Sequence, residues 1–157
     1  MSDLPDFTNY SQVDLVQQTI AFLTNRPMYG EAQDAHTSVN VNANSTLTLL
    51  SISGKGMIYS GLVDIPTDHN IDTDWVCIEI DNNEIFYLVF GYFIQYDITR
   101  PNSYIAWLNK YDNKNNVYSM SIRNGLTFEN SIKIKYHETN GVDVYVNAKL
   151  VYALLNV

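Results

Sequence analysis

The sequence is short of the residues that staple, break or positively charge a chain. Among 157 residues there are one cysteine, four prolines, seven glycines and nine Lys or Arg. A lone cysteine, Cys77, closes no internal disulfide, so a packed core must hold the fold. A chain of this length buries roughly two-thirds of its unfolded surface, which is enough. The few bases against 17 Asp and Glu leave a net charge of −8. That charge repels a polyanion at long range and excludes nucleic acid as an expected partner. With only His36, His69 and His137 as histidines, general bases are scarce. Cys77 lies in the apolar run from Trp75 to Ile78, where it reads as a small core hydrophobe and not a nucleophile. The longest apolar run, Ile85 to Ile94, is half of the roughly 20 residues a membrane helix needs, so no membrane partner is expected. Met1 to Phe7 show neither a basic nor an apolar leader segment, and synthesis in the cytoplasm is expected.

What the chain does have is apolar and aromatic content, 46% and 13% respectively. Such content repays the entropy of ordering and rules out general disorder. Charge is uneven: residues 1–100 carry 13 acids and 3 bases, whereas residues 101–157 carry 4 acids and 6 bases. Ends of opposite sign favour head-to-tail contact between copies, although solvated loops account for the same pattern.

Residues 1–30 differ in period from the rest. Ser11 and Asp14 have capping-box spacing, with Asp in place of Glu or Gln, and they open a run free of Gly and Pro that ends before Pro27. One N-terminal helix is predicted there. Val13, Val16, Ile20 and Leu23 mark one face, while Leu15 and Phe22 extend the apolar surface beyond what one sheet contact requires. Leu4, Phe7 and Tyr10 precede it as an apolar arm. The expected interface residues are Phe7, Tyr10, Val13, Leu15, Val16, Ile20, Phe22, Leu23 and Tyr29.

From about Ser38 the period becomes 2. Expected strands are 39–43, 47–53, 57–65, 75–80, 85–90, 92–98, 104–110, 117–123, 131–137 and 142–154. Turns follow from Gly54, Asp81 and Asn82, Asn124 and Gly125, and Asn140 and Gly141, all tolerant of positive φ. The clearest hairpin is the last, in which Ile132, Ile134 and Tyr136, then Val142 to Tyr152 at even numbers, alternate with polar residues. The unbroken apolar run 85–90 predicts a strand covered on both faces, central in a sandwich or buried against another chain. The fold class expected is mainly β: a jelly-roll-like antiparallel sandwich of about eight to ten strands over residues 31–157, preceded by the helix and arm of residues 1–30.

Few constellations suggest chemistry. Asp68, Asn70, Asp72 and Glu79 stand at positions 1, 3, 5 and 12 of a calcium-loop spacing, but Thr73 replaces the turn glycine. A solvated acidic loop between strands is the expected reading, and no cofactor or catalytic residue is expected. Gly54, Lys55 and Gly56 lack the first glycine of a phosphate loop and read as a turn. Ten aromatic residues from Phe86 to Tyr118 crowd into 33 positions, as suits strand packing, protein interfaces or sugar stacking.

Tyr10 to Leu15, the stretch Arg26 to Gly30, the turn at Tyr111 and Asp112, and Asn124 to Phe128 before a Lys/Ile strand resemble small virion proteins of tailed bacteriophages. The resemblance implies an N-terminal anchor and a projecting β-sandwich head, in a decoration, head-fibre, neck or tail-associated protein. Its partners would be copies of itself and other virion proteins, its location the virion, and its role non-enzymatic. The alternative expectation is a carbohydrate-binding module in which Trp75, Trp107 and some tyrosines stack on a glycan, with calcium in the acidic loop.

Overall fold

The computed structural model describes residues 29–67, 70–101, 104–112, 114–115 and 117–155. The predicted helix and the interface residues Phe7, Tyr10, Val13, Leu15, Val16, Ile20, Phe22 and Leu23 lie outside them. The described strands are β1 (Gln33–Val41), β2 (Thr46–Ser53), β3 (Gly56–Pro66), β4 (Trp75–Ile80), β5 (Asn83–Val89), β6 (Ala106–Asp112), β7 (Val117–Ile122), β8 (Leu126–Phe128), β9 (Ser131–His137) and β10 (Val144–Leu154). A short helix, α1 (Phe90–Gln95), follows β5.

All pairings are antiparallel and form two sheets packed as a sandwich, one ordered β1-β10-β3-β7-β6 with β8 also on β3, the other β2-β9-β4-β5. β7 and β8 run along the same side of β3, broken by the Asn124–Gly125 turn, where Gly125 has φ +80°. Side chains facing between the layers make one core. Val144, Val146, Ala148 and Leu150 of β10 and Ile132, Ile134 and Tyr136 of β9 are buried as their alternation requires. Each such aliphatic side chain contributes about 1.5–3 kcal/mol on leaving water. Positive φ at Asp81 and Asn82 matches the type I′ turn joining β4 to β5, and Gly54 and Gly141 are also left-handed.

Three differences from the sequence reading have physical causes. β1 starts at Gln33 and not at Val39, because the full register from Gln33 opposite Tyr152 to Val41 opposite Val144 supplies backbone bonds that polar residues accept as readily as apolar ones. Residues 92–98 are not a strand: α1 turns the chain there, burying Phe90 and Phe93 one helical turn apart. β5 is an edge strand and not a central one, with Ile85 and Tyr87 exposed.

The register also distinguishes two ends of the sandwich. β10 finishes at the lower end, beside Tyr29, Gly54 and Leu155. It begins at the upper end, where β1 and β3 finish. Eleven residues at about 3.3 Å each separate them by on the order of 30 Å.

Candidate functional site

At the lower end the chain enters the sandwich through Tyr29, which bridges Leu155, and Gly30, whose N–H donates to the Leu154 carbonyl at 2.7 Å. Tyr29 is half-buried. It alone of the expected interface residues can be placed, and it stands at the rim of the six-stranded sheet, not inside the core. Close by, Asp81 ties down the turn before β9: its carboxylate accepts from the N–H groups of Glu129, Asn130 (2.6 Å) and Ser131 (3.0 Å). Those bonds hold its carboxyl below the usual carboxylate range.

The upper end carries two carboxylates, Asp74 and Glu138, both fully buried. Asp74 accepts from the Tyr136 hydroxyl (2.6 Å), the Thr139 N–H (2.9 Å) and hydroxyl (3.0 Å), and the Asn140 amide (2.8 Å). Glu138 accepts from the N–H groups of Asn44 (2.7 Å), Asn140 and Gly141 (3.0 Å). Asn140 therefore joins the two acids, and three segments around positions 44, 74 and 138–141 are braced together. Burial pushes the Asp74 carboxyl up, against the hydrogen bonds that favour its charge. Burial also acts on Glu138, but the N–H groups of Asn44, Asn140, Val142 and Gly141 outweigh it and bring it down. The Tyr136 hydroxyl is held protonated by burial and by the adjacent Asp74.

Two acids with oppositely shifted pKa values also describe a general acid and base. Both are buried, Asp74 held mainly by side-chain donors and Glu138 by backbone N–H groups, so together they brace the three segments. Asp74 ends the acidic loop, and Glu138 opens the Glu138–Gly141 turn; a carboxylate beside an Asn-Gly turn is the only signal of this brace in the sequence.

Of the described residues of the calcium-type spacing, Asn70 and Asp72 lie together and Glu79 is engaged elsewhere. Asn70 accepts from the Asp72 N–H at 2.6 Å, and its amide donates to the Asp72 carboxylate at 3.0 Å. Tyr111 donates its hydroxyl to the other Asp72 oxygen. Glu79 faces outward from β4 and pairs with Lys135 and Lys133. Asp68 lies outside the described residues.

The two tryptophans do not share a surface. Trp75, on the four-stranded sheet, stacks on His137 at 4.8 Å and leans on Tyr87 at 4.9 Å. Trp107 sits on β6 of the other sheet, half-buried. Cys77 is buried, yet not between the layers. Its neighbours Val76 and Ile78 belong to the core, so alternation turns Cys77 outward, between Lys135 and Tyr87 in the register. There its thiol meets the Glu84 carboxylate at 3.6 Å. Burial, then Glu84, push the thiol up to about 12, so it stays protonated and poorly nucleophilic.

Also at the upper end, Tyr145, Asp143, Asn40 and Asn115 surround a shallow concavity of about 430 Å³. No family model and no curated protein matches this chain, so its function is read from the geometry above.

Proposed function

We propose that this domain is a jelly roll serving as a non-enzymatic structural subunit of a bacteriophage particle, anchored through residues 1–28 and projecting its upper end. The observation that carries the reading is the position of Tyr29. The chain joins the sandwich at the rim of its lower end, about 30 Å from the upper loops. An anchor made by the residues that join the sandwich there leaves the opposite end to face outward.

The strand orders support the jelly-roll reading. β1 to β4 alternate between the sheets, and β9 and β10 return to lie between β2 and β4 and between β1 and β3. This double Greek-key wrap serves viral capsid, lectin and cupin domains. The step from fold to virion is an analogy of architecture. It joins the arm's apolar sequence and the resemblance carried by residues 10–15, 26–30, 111–113 and 124–128.

Repeated copies would make modest arm contacts collectively strong. The test is deletion of residues 1–28. The shortened chain should keep its cooperative melting transition and fail to co-purify with particles assembled in its presence. Co-purification at the full-length level would overturn the anchor.

A further inference from the structure

We infer that the concavity at the upper end, walled by Tyr145, Asn40, Asn115 and Asp143, is a binding site for a neutral saccharide. The site goes beyond the particle reading and stands whether or not the domain is mounted on a virion.

Asn40 of β1 and Tyr145 of β10 are directly opposite in the register. Directly opposed residues hold their Cβ atoms about 5 Å apart, so the carboxamide flanks the ring. Pro66 of β3 pairs with Val117 of β7 and supplies an apolar wall. At about 430 Å³ the space falls within the roughly 300–1,000 Å³ usual for small-ligand clefts. Tyr145 is 45% exposed, and a ring of that exposure has area to offer.

The polar groups are set for a ligand rich in hydroxyls. Asp143 accepts the Ala43 N–H at 2.9 Å through Oδ1, which fixes the carboxylate and leaves Oδ2 without a partner among the described residues. The Asn115 amide is committed to Asp112 at 2.7 Å, which leaves its carbonyl oxygen as an acceptor. Asn40 and Tyr145 make no side-chain hydrogen bond among the described residues, and each can both donate and accept. Acceptors in excess call for donors, and sugar hydroxyls supply them while the aliphatic C–H face of the ring covers Tyr145 and the Pro66 wall. Asp143 is the one charged residue among those described as lining the space. Its charge disfavours sialylated, sulfated or phosphorylated ligands. A bare cation would satisfy Asp143 but leave the aromatic and apolar walls unused.

The experiment is a glycan array with the intact chain, followed by calorimetric titration of the best ligand. Neutral glycans should bind, and Tyr145→Ala and Asn115→Ala should each weaken binding by about ten-fold or more, the loss of one stacking or hydrogen-bonding contact. Trp75→Ala, on the opposite sheet, should leave affinity unchanged. Asn115 lies in an exposed turn, so its variant tests the site even if Tyr145→Ala fails to fold. Absence of neutral-glycan binding up to millimolar ligand, preference for acidic glycans, or full affinity in Asn115→Ala would overturn the proposal.

Discussion

The Tyr136 hydroxyl donates to Asp74 at 2.6 Å inside the sandwich, although 62 residues separate them. Val76 lies opposite Tyr136 in the β4–β9 register, so the tyrosine reaches back along its neighbour to the acid that precedes β4. Removing Asp74 would leave the buried Tyr136 hydroxyl and the half-buried Thr139 N–H without their acceptor. Asp74→Ala is therefore expected to cost about 3–5 kcal/mol and Tyr136→Phe about 1.5–3 kcal/mol, measured by urea unfolding. Equal stability of Asp74→Ala and wild type would remove the brace from the account.

The two buried acids should respond to acid in opposite senses. The Asp74 carboxyl is raised by burial, so its ionisation weakens the fold at neutral pH, and that loss is recovered as pH falls through its raised value. The Glu138 carboxyl is lowered by its backbone donors; its support is complete above the ordinary glutamate value of about 4.3 and lost as pH falls through the depressed one. Asp81 and Asp112 carry the same sign as Glu138. Melting temperature should fall below about pH 4 in the wild type, and Glu138→Gln should be less stable at pH 7 with a flatter acid limb. An unchanged acid limb in Glu138→Gln would show that the N–H cradle does not hold its charge.

Cys77 should resist alkylation. With its thiol pushed up to about 12 and its side chain buried, labelling by iodoacetamide at pH 8 should be slowed, relative to the unfolded chain, in proportion to the small fraction of molecules that are open. Rapid labelling of the folded protein would mean that the Tyr87 and Lys135 side chains do not cover it.

Two glycines should differ in why they matter. A Cβ at Gly61 would lie 2.7 Å from Leu150 and 2.8 Å from Ile122, so Gly61→Ala should cost about 1–3 kcal/mol by overpacking. Gly125 has open space around it but a φ of +80°, and Gly125→Ala should cost about 1–2 kcal/mol from backbone strain alone. A larger side chain should worsen the first and not the second, as thermal melts of Gly61→Val and Gly125→Ser would show.

The sandwich was legible wherever one sheet face is dry and the other wet. The period of 2 through Ile132–Tyr136 and Val144–Tyr152 marks the inner face of β9 and β10 without ambiguity, and Asp81, Asn82 and Gly125 declare their turns by tolerating positive φ. The period fails at Phe90 to Ile94, since a six-residue helix with apolar neighbours on every side shows no contrast to read. It fails again at Cys77, because an outward side chain covered by long neighbours looks apolar. The brace escaped for another reason: Asp74 and Thr139 meet only after β4 and β9 pair, and 65 residues of chain hide that pairing. At the candidate saccharide site, Tyr145 belongs to the alternation of β10, but its neighbours Asn40 and Asn115 come from distant strands and loops.

The central claim is that the arm entering at Tyr29 serves contacts between molecules. Light scattering coupled to size-exclusion chromatography measures this directly on the full chain and on a chain lacking residues 1–28. The account predicts that the full chain self-associates and that the shortened chain is a folded monomer with the same cooperative melt. A monomeric full chain, together with a shortened chain that has lost its melting transition, would contradict it by making the arm part of its own molecule's core.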